Sequence, residues 1–360
     1  MARNFAPGIT LEDFDPSSHP EQLGHLAPPG EAWERDLSAS NAQILAMRSA
    51  EGAIDGCALL TARSAGAYLK ISSVLGRTTE HLGQVVQAVL DHARQQGLAC
   101  VKWEIRLGHP DLQDLAQNLG FERLPAPRRS AHRTGRASAA GFVQWLAPAR
   151  YLRNPHYQQT ENFTCAAVAA LTAHQETSRI QSLGELRVAE LMLWREATNF
   201  MACEPIELGL AVARRWPRSP VRVWLDTREP VMVDYYSEAD RDWRAVLQRQ
   251  SRLQADTAGL DLRTERLAMP QIVEALAGGA QVLLLVSLER MLGFDVPHWV
   301  LCHGIAGTAE RPVVVIEDSW VNDSSAESWV DATCLPIAAQ ELDSMSVLED
   351  GRYRAALVLG

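Results

Sequence analysis

Short apolar runs and one long amphipathic stretch set the pattern of the first part of the chain. Residues 42–47, 56–61 and 67–74 each alternate or run apolar over strand length, and the first two predict a hairpin. Residues 82–96 change to helical spacing, with Leu82, Val85, Val86, Val89 and Leu90 on one face and Gly97 closing the helix. Residues 100–105 read as a strand, 111–118 as a helix ended by Gly120, and 142–146 as one more strand. The pattern predicts a mixed α/β domain built on a hairpin and a helix crossover.

Beyond Pro148 the order of elements changes. Helical spacing recurs over residues 166–175, 184–199, 206–215, 238–255 and 269–276, with a strand at 221–225. Strand-like runs then dominate, at 282–288, 298–304, 313–317 and 355–359. Helices first and antiparallel strands later is an α+β order, and the chain divides into expected domains at 1–147 and 148–360.

Composition narrows the functions open to such a chain. With 360 residues, 47% hydrophobic and 22% charged, two globular domains are expected. A net charge of −10 argues against a general binder of nucleic acid or anionic membrane. The first seven residues carry no apolar signal core, and no apolar run approaches the roughly 18 residues that span a bilayer, so a cytoplasmic location is expected. The only lysines are Lys70 and Lys102 among abundant arginines, which suggests a GC-rich bacterial genome. The basic, proline-containing stretch 123–136 lacks interleaved aromatics and reads as a solvated linker. Six cysteines occur without a C-x-x-C pair, so neither a zinc site nor a disulfide framework is signalled, and no metal or cofactor is expected.

One cysteine has a distinctive setting. Cys165 stands where a polar loop, Tyr157 to Thr164, meets an alanine-rich helix. The free N–H groups and positive dipole end of a first turn favour a thiolate there. Downstream, a hairpin folded symmetrically about Thr308 would set His298 opposite Asp318, close enough for an imidazole to bond a carboxylate. A bulge would shift that pairing by one residue and substitute Glu317. In this scheme Asp318 orients His298, His298 takes the proton of Cys165, and the Gln159 amide donates to an oxyanion. His303 alternates to the other strand face and reads as a satisfied structural residue, while His156 and His174 are weaker candidates for the base.

These residues resemble those of papain-like cysteine peptidases, and specifically of the bacteriocin-processing peptidases that cut leader peptides after a double glycine. The resemblance covers residues 151–360 and rests on Gln159 leading to Cys165, on Pro297-His298-Trp299-Val300-Leu301, and on Asp318 after a β-rich run. It also takes in the helix Leu193-Trp194-Arg195-Glu196-Ala197-Thr198. It implies Cys165 as nucleophile, His298 as base, Asp318 as orienter and Gln159 as oxyanion donor, acting on a peptide or protein substrate. The chain departs from the family at Cys165-Ala166-Ala167, where glycine and then a small residue are usual, and at Ser319, where proline is usual.

The N-terminal part, residues 8–145, resembles the GNAT acyltransferases. Of the family's pyrophosphate-binding loop, Thr78-Thr79-Glu80-His81-Leu82-Gly83 keeps only Gly83. Glu80 places an anion where phosphates would sit, Ala116 stands at the usual tyrosine acid and His109 at the usual asparagine. The resemblance, with these losses, implies a degenerate domain for substrate recognition or docking, and acetyl-CoA is not an expected partner. The expectation is therefore a cysteine peptidase or peptidase-like amide hydrolase with a GNAT-like N-terminal domain. The alternatives are a non-catalytic peptide-binding protein made of two retired enzyme domains, or an N-acetyltransferase.

Overall fold

The structure is a computed structural model and describes residues 8–17, 19, 23, 26, 33, 37, 38, 40–128, 139–198, 201–234, 236–322 and 327–360. It separates into two compact units. The first comprises Met1–Ala126, Thr134–Pro148 and Val321–Asp331; the second comprises Pro127–Arg133, Ala149–Trp320 and Ala332–Gly360. The linear division at residue 147 does not anticipate that Val321–Asp331 belongs with the first unit. The part of the basic stretch at 129–136 lies outside the described residues. Arg128 at its edge binds the carbonyls of Ile180 and Gln181, at 2.7 and 2.6 Å.

The first unit carries β1 (Ile9–Asp13), β2 (Gln43–Arg48), β3 (Ile54–Thr61), β4 (Tyr68–Gly76), α1 (Thr79–Gln95), β5 (Cys100–Arg106), α2 (Pro110–Asn118), β6 (Glu122–Arg123) and β7 (Ala139–Trp145). The sheet order is β1-β2-β3-β4-β5-β7-β6. The expected hairpin is β2–β3, and α1 is the crossover between parallel β4 and β5. Thr78 caps α1 by accepting from the His81 N–H, and Gly97 takes φ 69° just past the helix, where a side chain would be strained. Val85, Val86, Val89 and Leu90 are buried against Leu60, Ile71 and Val101 of the sheet, as the helical spacing predicts.

The two lysines are both buried in this unit. Lys70 on β4 pairs with Asp331 and with Glu104, the latter at 3.2 Å. Lys102 on β5 donates to the carbonyls of Val330 and Asp331 at 2.8 and 3.1 Å. Arg63 grips Glu327 with two bonds of 2.9 and 2.8 Å. A buried charge is tolerated only when paired and hydrogen-bonded, so these contacts specify how the returning segment is seated.

The second unit carries β8 (Ala149–Tyr151), α3 (Cys165–Ala173), α4 (Glu176–Arg179), α5 (Leu183–Ala197), α6 (Pro205–Arg215), β9 (Val221–Leu225), α7 (Glu238–Ala258), β10 (Asp261–Arg263), α8 (Met269–Ala277), β11 (Gln281–Ser287), α9 (Glu289–Leu292), β12 (Pro297–Gly307) and β13 (Pro312–Glu317). After α10 (Trp329–Ala332), which the unit boundary divides, come β14 (Leu335–Ala338), α11 (Ala339–Met345) and β15 (Ala355–Leu359). The sheet runs β10-β9-β15-β11-β12-β13-β14, with β8 added on β12. All its pairings are antiparallel except β9–β10. This is the α+β arrangement expected from the order of elements. Every residue of α3 is buried, and the helix packs with Leu283, Leu285, Trp299 and Leu301 of the sheet. A helix apolar on all sides is stable only when enclosed in this way. No helix among the described residues is long and apolar enough to cross a membrane.

Register in the β12–β13 hairpin differs from the symmetric expectation. Pairing begins at Gly307↔Pro312 and runs to Gly304↔Val315, then shifts to Cys302↔Ile316 and Leu301↔Glu317. His303 is the extra residue of a β-bulge. The turn is therefore off the expected centre at Thr308, and His298 does not stand directly opposite Asp318. Without the bulge, the Gly304↔Val315 register would continue so as to set Asp318 against Leu301, on the face that carries Trp299. Glu317 would then share the face of His298. The bulge reverses this: Glu317 pairs with Leu301, and Asp318 returns to the face of His298. The expectation that a bulge would substitute Glu317 is corrected, because here the bulge is what prevents it. Gly304 follows the bulge because β8 crosses there; a Cβ at Gly304 would meet Tyr151 Cβ at 2.4 Å.

Candidate active site

Cys165 is the first helical residue of α3, and Thr164 before it is the N-cap. Thr164 does not cap the first turn with its side chain; its hydroxyl turns back to Glu161 O and Glu190. The first-turn N–H groups are thus not taken by the Thr164 side chain, and the positive end of the helix dipole lies at the thiol. At 8% exposure Cys165 is the most accessible of the six cysteines, the others ranging from 0 to 2%. It opens on a cavity of about 250 Å³ whose apolar wall includes Phe163, Met201, Cys203, Met232, Val296 and Trp299. Trp194 of α5 supports that wall by packing on Phe163 with ring centres 4.7 Å apart and donating to Met201 O at 2.9 Å.

His298 lies near the start of β12 and is 3% exposed, and the fully buried Asp318 follows directly after β13. His298 Nε2 is 2.7 Å from Asp318 Oδ1. The same carboxylate oxygen accepts from Trp320 N at 2.8 Å, and the Asp318 N–H donates to Ala332 O at 3.1 Å, so its orientation is determined on both sides. The charge of His298 acts on the Cys165 thiol and favours its thiolate. With Nε2 taken by Asp318, Nδ1 is the ring nitrogen left for another partner. Trp299 N donates to Cys165 Sγ at 3.5 Å, within the longer limit that sulfur allows.

The electrostatics of the pair are opposite to those of the other thiols. Burial alone would push the Cys165 thiol up, but the charge and hydrogen bond of His298, with the N–H groups of Trp299 and Ala166, hold it below the usual cysteine value. Burial disfavours the His298 imidazolium, yet Asp318 and the Cys165 thiolate outweigh it and push His298 up to about 10. Burial instead raises Cys57 and Cys100 to about 12, and Cys203 and Cys302 are raised as well. Both shifts favour the charged forms, thiolate on Cys165 and imidazolium on His298, over those of an isolated thiol and imidazole.

Gln159 is fully buried in the loop before α3. Its Nε2 donates to Glu161 O at 2.8 Å, its Oε1 accepts from Ser319 Oγ at 2.8 Å, and its backbone N–H donates to Ser319 O at 3.0 Å. One amide hydrogen of Gln159 remains beyond these bonds. Ser319, at the position where proline is usual, is what ties Gln159 to the residue after Asp318. His156 and His174 do not join the site. His174 ends α3, stacks on Trp216 at 3.8 Å, and burial brings it down to about 4. His156 bonds Glu317 at 2.7 Å.

The sequence reading did not assign a role to Glu190. This α5 carboxylate is fully buried and accepts from Tyr157 OH and Thr160 N, both at 2.8 Å, and from the Thr164 hydroxyl. It clamps the loop from Tyr157 to Thr164 against α5 and so sets where α3 begins. The available signal was a glutamate on the apolar face of a predicted helix, a position glutamate occupies only when partnered.

A thiol at a helix start, a histidine–aspartate pair across a sheet and a buried glutamine define a cysteine-peptidase-like domain. The family model described as the Peptidase_C39 like family matches residues 154–360, and the chain belongs to that family. No curated protein sequence matches the chain. Among solved structures, an acetyltransferase of the GNAT family from Staphylococcus aureus is similar at 12% identity, covering 38% of this chain and 99% of that chain, with a TM-score of 0.30. An IAA acetyltransferase from Bacillus cereus is similar at 14% identity, covering 38% and 99%, with a TM-score of 0.29.

Proposed function

We propose that the protein is a cysteine peptidase or peptidase-like amide hydrolase acting on a peptide or protein. The observation that carries this reading is the junction of Cys165 with His298 and Asp318: one thiol, bonded by the N–H of Trp299 and acted on by the charge of the adjacent His298, whose imidazole a buried carboxylate orients. In the proposed reaction the Cys165 thiolate attacks the substrate carbonyl carbon, and the C–O π electrons move to oxygen. First-turn N–H groups of α3 and the remaining amide hydrogen of Gln159 stabilise that oxyanion. The His298 imidazolium gives its proton to the leaving amine as the C–N bond breaks. Neutral His298 then takes a proton from water, whose oxygen attacks the thioester carbon; the C–S bond breaks and releases the carboxylic acid and the Cys165 thiolate, with His298 again an imidazolium. The apolar cavity beside Cys165 suits an aliphatic or aromatic side chain of the substrate.

Acetyl transfer is not part of this reading. Thr78 spends its hydroxyl on the N-cap of α1, Glu80 puts a carboxylate in that first turn, and Ala116 is a fully buried residue without a proton to give. Alkylation of Cys165 by iodoacetamide, mapped by mass spectrometry in the full chain, tests the proposal. Cys165 should react first of the six, and about tenfold or more slowly at neutral pH in His298→Ala, since each unit of thiol pKa is a tenfold change in thiolate at fixed pH. Equal rates in the two proteins would refute the thiol–imidazole pair.

A further inference from the structure

The bulge that returns Asp318 to His298 also gathers a second set of side chains within the second unit. His303 at the bulge, Glu317 at the end of β13 and Cys334 before β14 place one donor atom each within 4.8 Å of one another. All are buried, with exposures of 5%, 6% and 0%. The sequence predicts a satisfied structural role for His303, yet neither of its ring nitrogens makes a hydrogen bond of good geometry, although the backbones of Ile316 and Leu152 act on the ring. An imidazole shut from water with both nitrogens unpaired is costly unless something else binds it.

The neighbouring groups hold the other two donors in place. Glu317 accepts from His156 Nδ1 at 2.7 Å on one oxygen, and from Thr333 Oγ1 at 3.0 Å and Cys334 N at 3.2 Å on the other. A carboxylate has about four lone-pair sites, so one remains for a further partner. Cys334 holds φ 45°, a left-handed backbone that a non-glycine residue adopts only when its surroundings require it.

We propose that His303, Glu317 and Cys334 form a structural metal site for a borderline divalent cation, zinc by preference, with His156 holding the Glu317 carboxylate from behind. Imidazole, carboxylate and thiolate are the donors zinc takes, at about 2.0–2.3 Å, which sets donor separations on the order of 3.5 Å. On binding, the Cys334 thiol loses its proton to solvent as the S–metal bond forms. Such an ion would join β12, β13 and the segment entering β14 immediately behind Asp318. The linear sequence hides this set, because its members lie 14 and 17 residues apart with no paired spacing.

The test uses the full chain stripped with a chelator and titrated with zinc or cobalt alone. One equivalent should bind, and the cobalt form should show thiolate-to-metal charge-transfer absorption. Cys334→Ser should abolish that absorption and Cys165→Ala should leave it intact. His303→Gln should remove tight binding, and His156→Gln should weaken it about 10–100-fold, the usual effect of losing a group that orients a ligand. No stoichiometric uptake, or an absorption that disappears with Cys165 and persists without Cys334, would overturn the proposal. Should the variants fail to fold, anomalous scattering from zinc-loaded wild-type crystals decides: a peak among the three donors supports the site, and its absence there refutes it.

Discussion

His298 and Asp318 bond at 2.7 Å although no rung of the β12–β13 ladder pairs them. The last rung is Leu301↔Glu317, and one further step would set Asp318 against Val300. His298 and Asp318 are thus diagonal neighbours on one face, about 7–8 Å apart at the backbone, a gap that an imidazole and a carboxylate span between them.

The charge on this pair makes the pH response specific. Alkylation of Cys165 should set in below the pH at which an ordinary cysteine reacts and remain high in alkali, because the thiolate persists. Turnover on a peptide should instead fall as pH passes about 10, where His298 loses the proton it gives to the leaving amine. Because its value in the folded chain lies above that of a free imidazole, the stability His298 adds is complete below about 6.5 and is lost as pH rises through about 10. Parallel profiles of alkylation and turnover on the alkaline side would contradict the assignment.

Asp318→Asn keeps the shape of the side chain and removes its charge. The imidazolium then loses its main support, so the alkylation profile of Cys165 should move to higher pH and the neutral-pH rate should fall on the order of tenfold or more. The pH profile is the informative measurement, since a purely structural role for Asp318 would lower the amplitude without moving the midpoint.

Glu190→Gln tests the clamp under the nucleophile. An amide offers one acceptor oxygen where the carboxylate offered two, leaving Tyr157 OH, Thr160 N or the Thr164 hydroxyl unanswered. Leaving a buried donor unsatisfied costs about 1–3 kcal/mol, and urea denaturation should show a loss of that order together with slower labelling of Cys165.

In the first unit, Lys70→Met should destabilise by about 3–5 kcal/mol, because it leaves Asp331 and Glu104 buried without their ammonium. Adding Asp331→Asn should recover part of the loss in a double-mutant cycle. Additive losses in the two changes would mean that the ion pair is not coupled.

Elements that bury a face were readable from the sequence, and those held by partners distant in the chain were not. Val221–Leu225 and Ala355–Leu359 were placed to the residue because their apolar runs are bounded by turns. The strands β10 and β14, of three and four residues, carry too little pattern to announce themselves and exist through pairing with β9 and β13. Cys165, His298 and Asp318 could be singled out by residue type and order, but a register centred on Thr308 sets the last two directly opposite, and the effect of a bulge, which keeps Asp318 rather than bringing in Glu317, depends on where it falls. Glu190, and the return of Val321–Asp331 to the first unit, depend on buried charge pairing that only three dimensions display.

The bulge at His303 has a consequence for how this strand can change over time. A single inserted or lost residue in β12 between His298 and His303 exchanges the roles of two adjacent carboxylates, so that the orienting acid and the acid facing His156 trade places in one step. Point substitutions leave that assignment alone; length changes do not. Spacing in this hairpin therefore decides which of the two neighbouring acids meets His298.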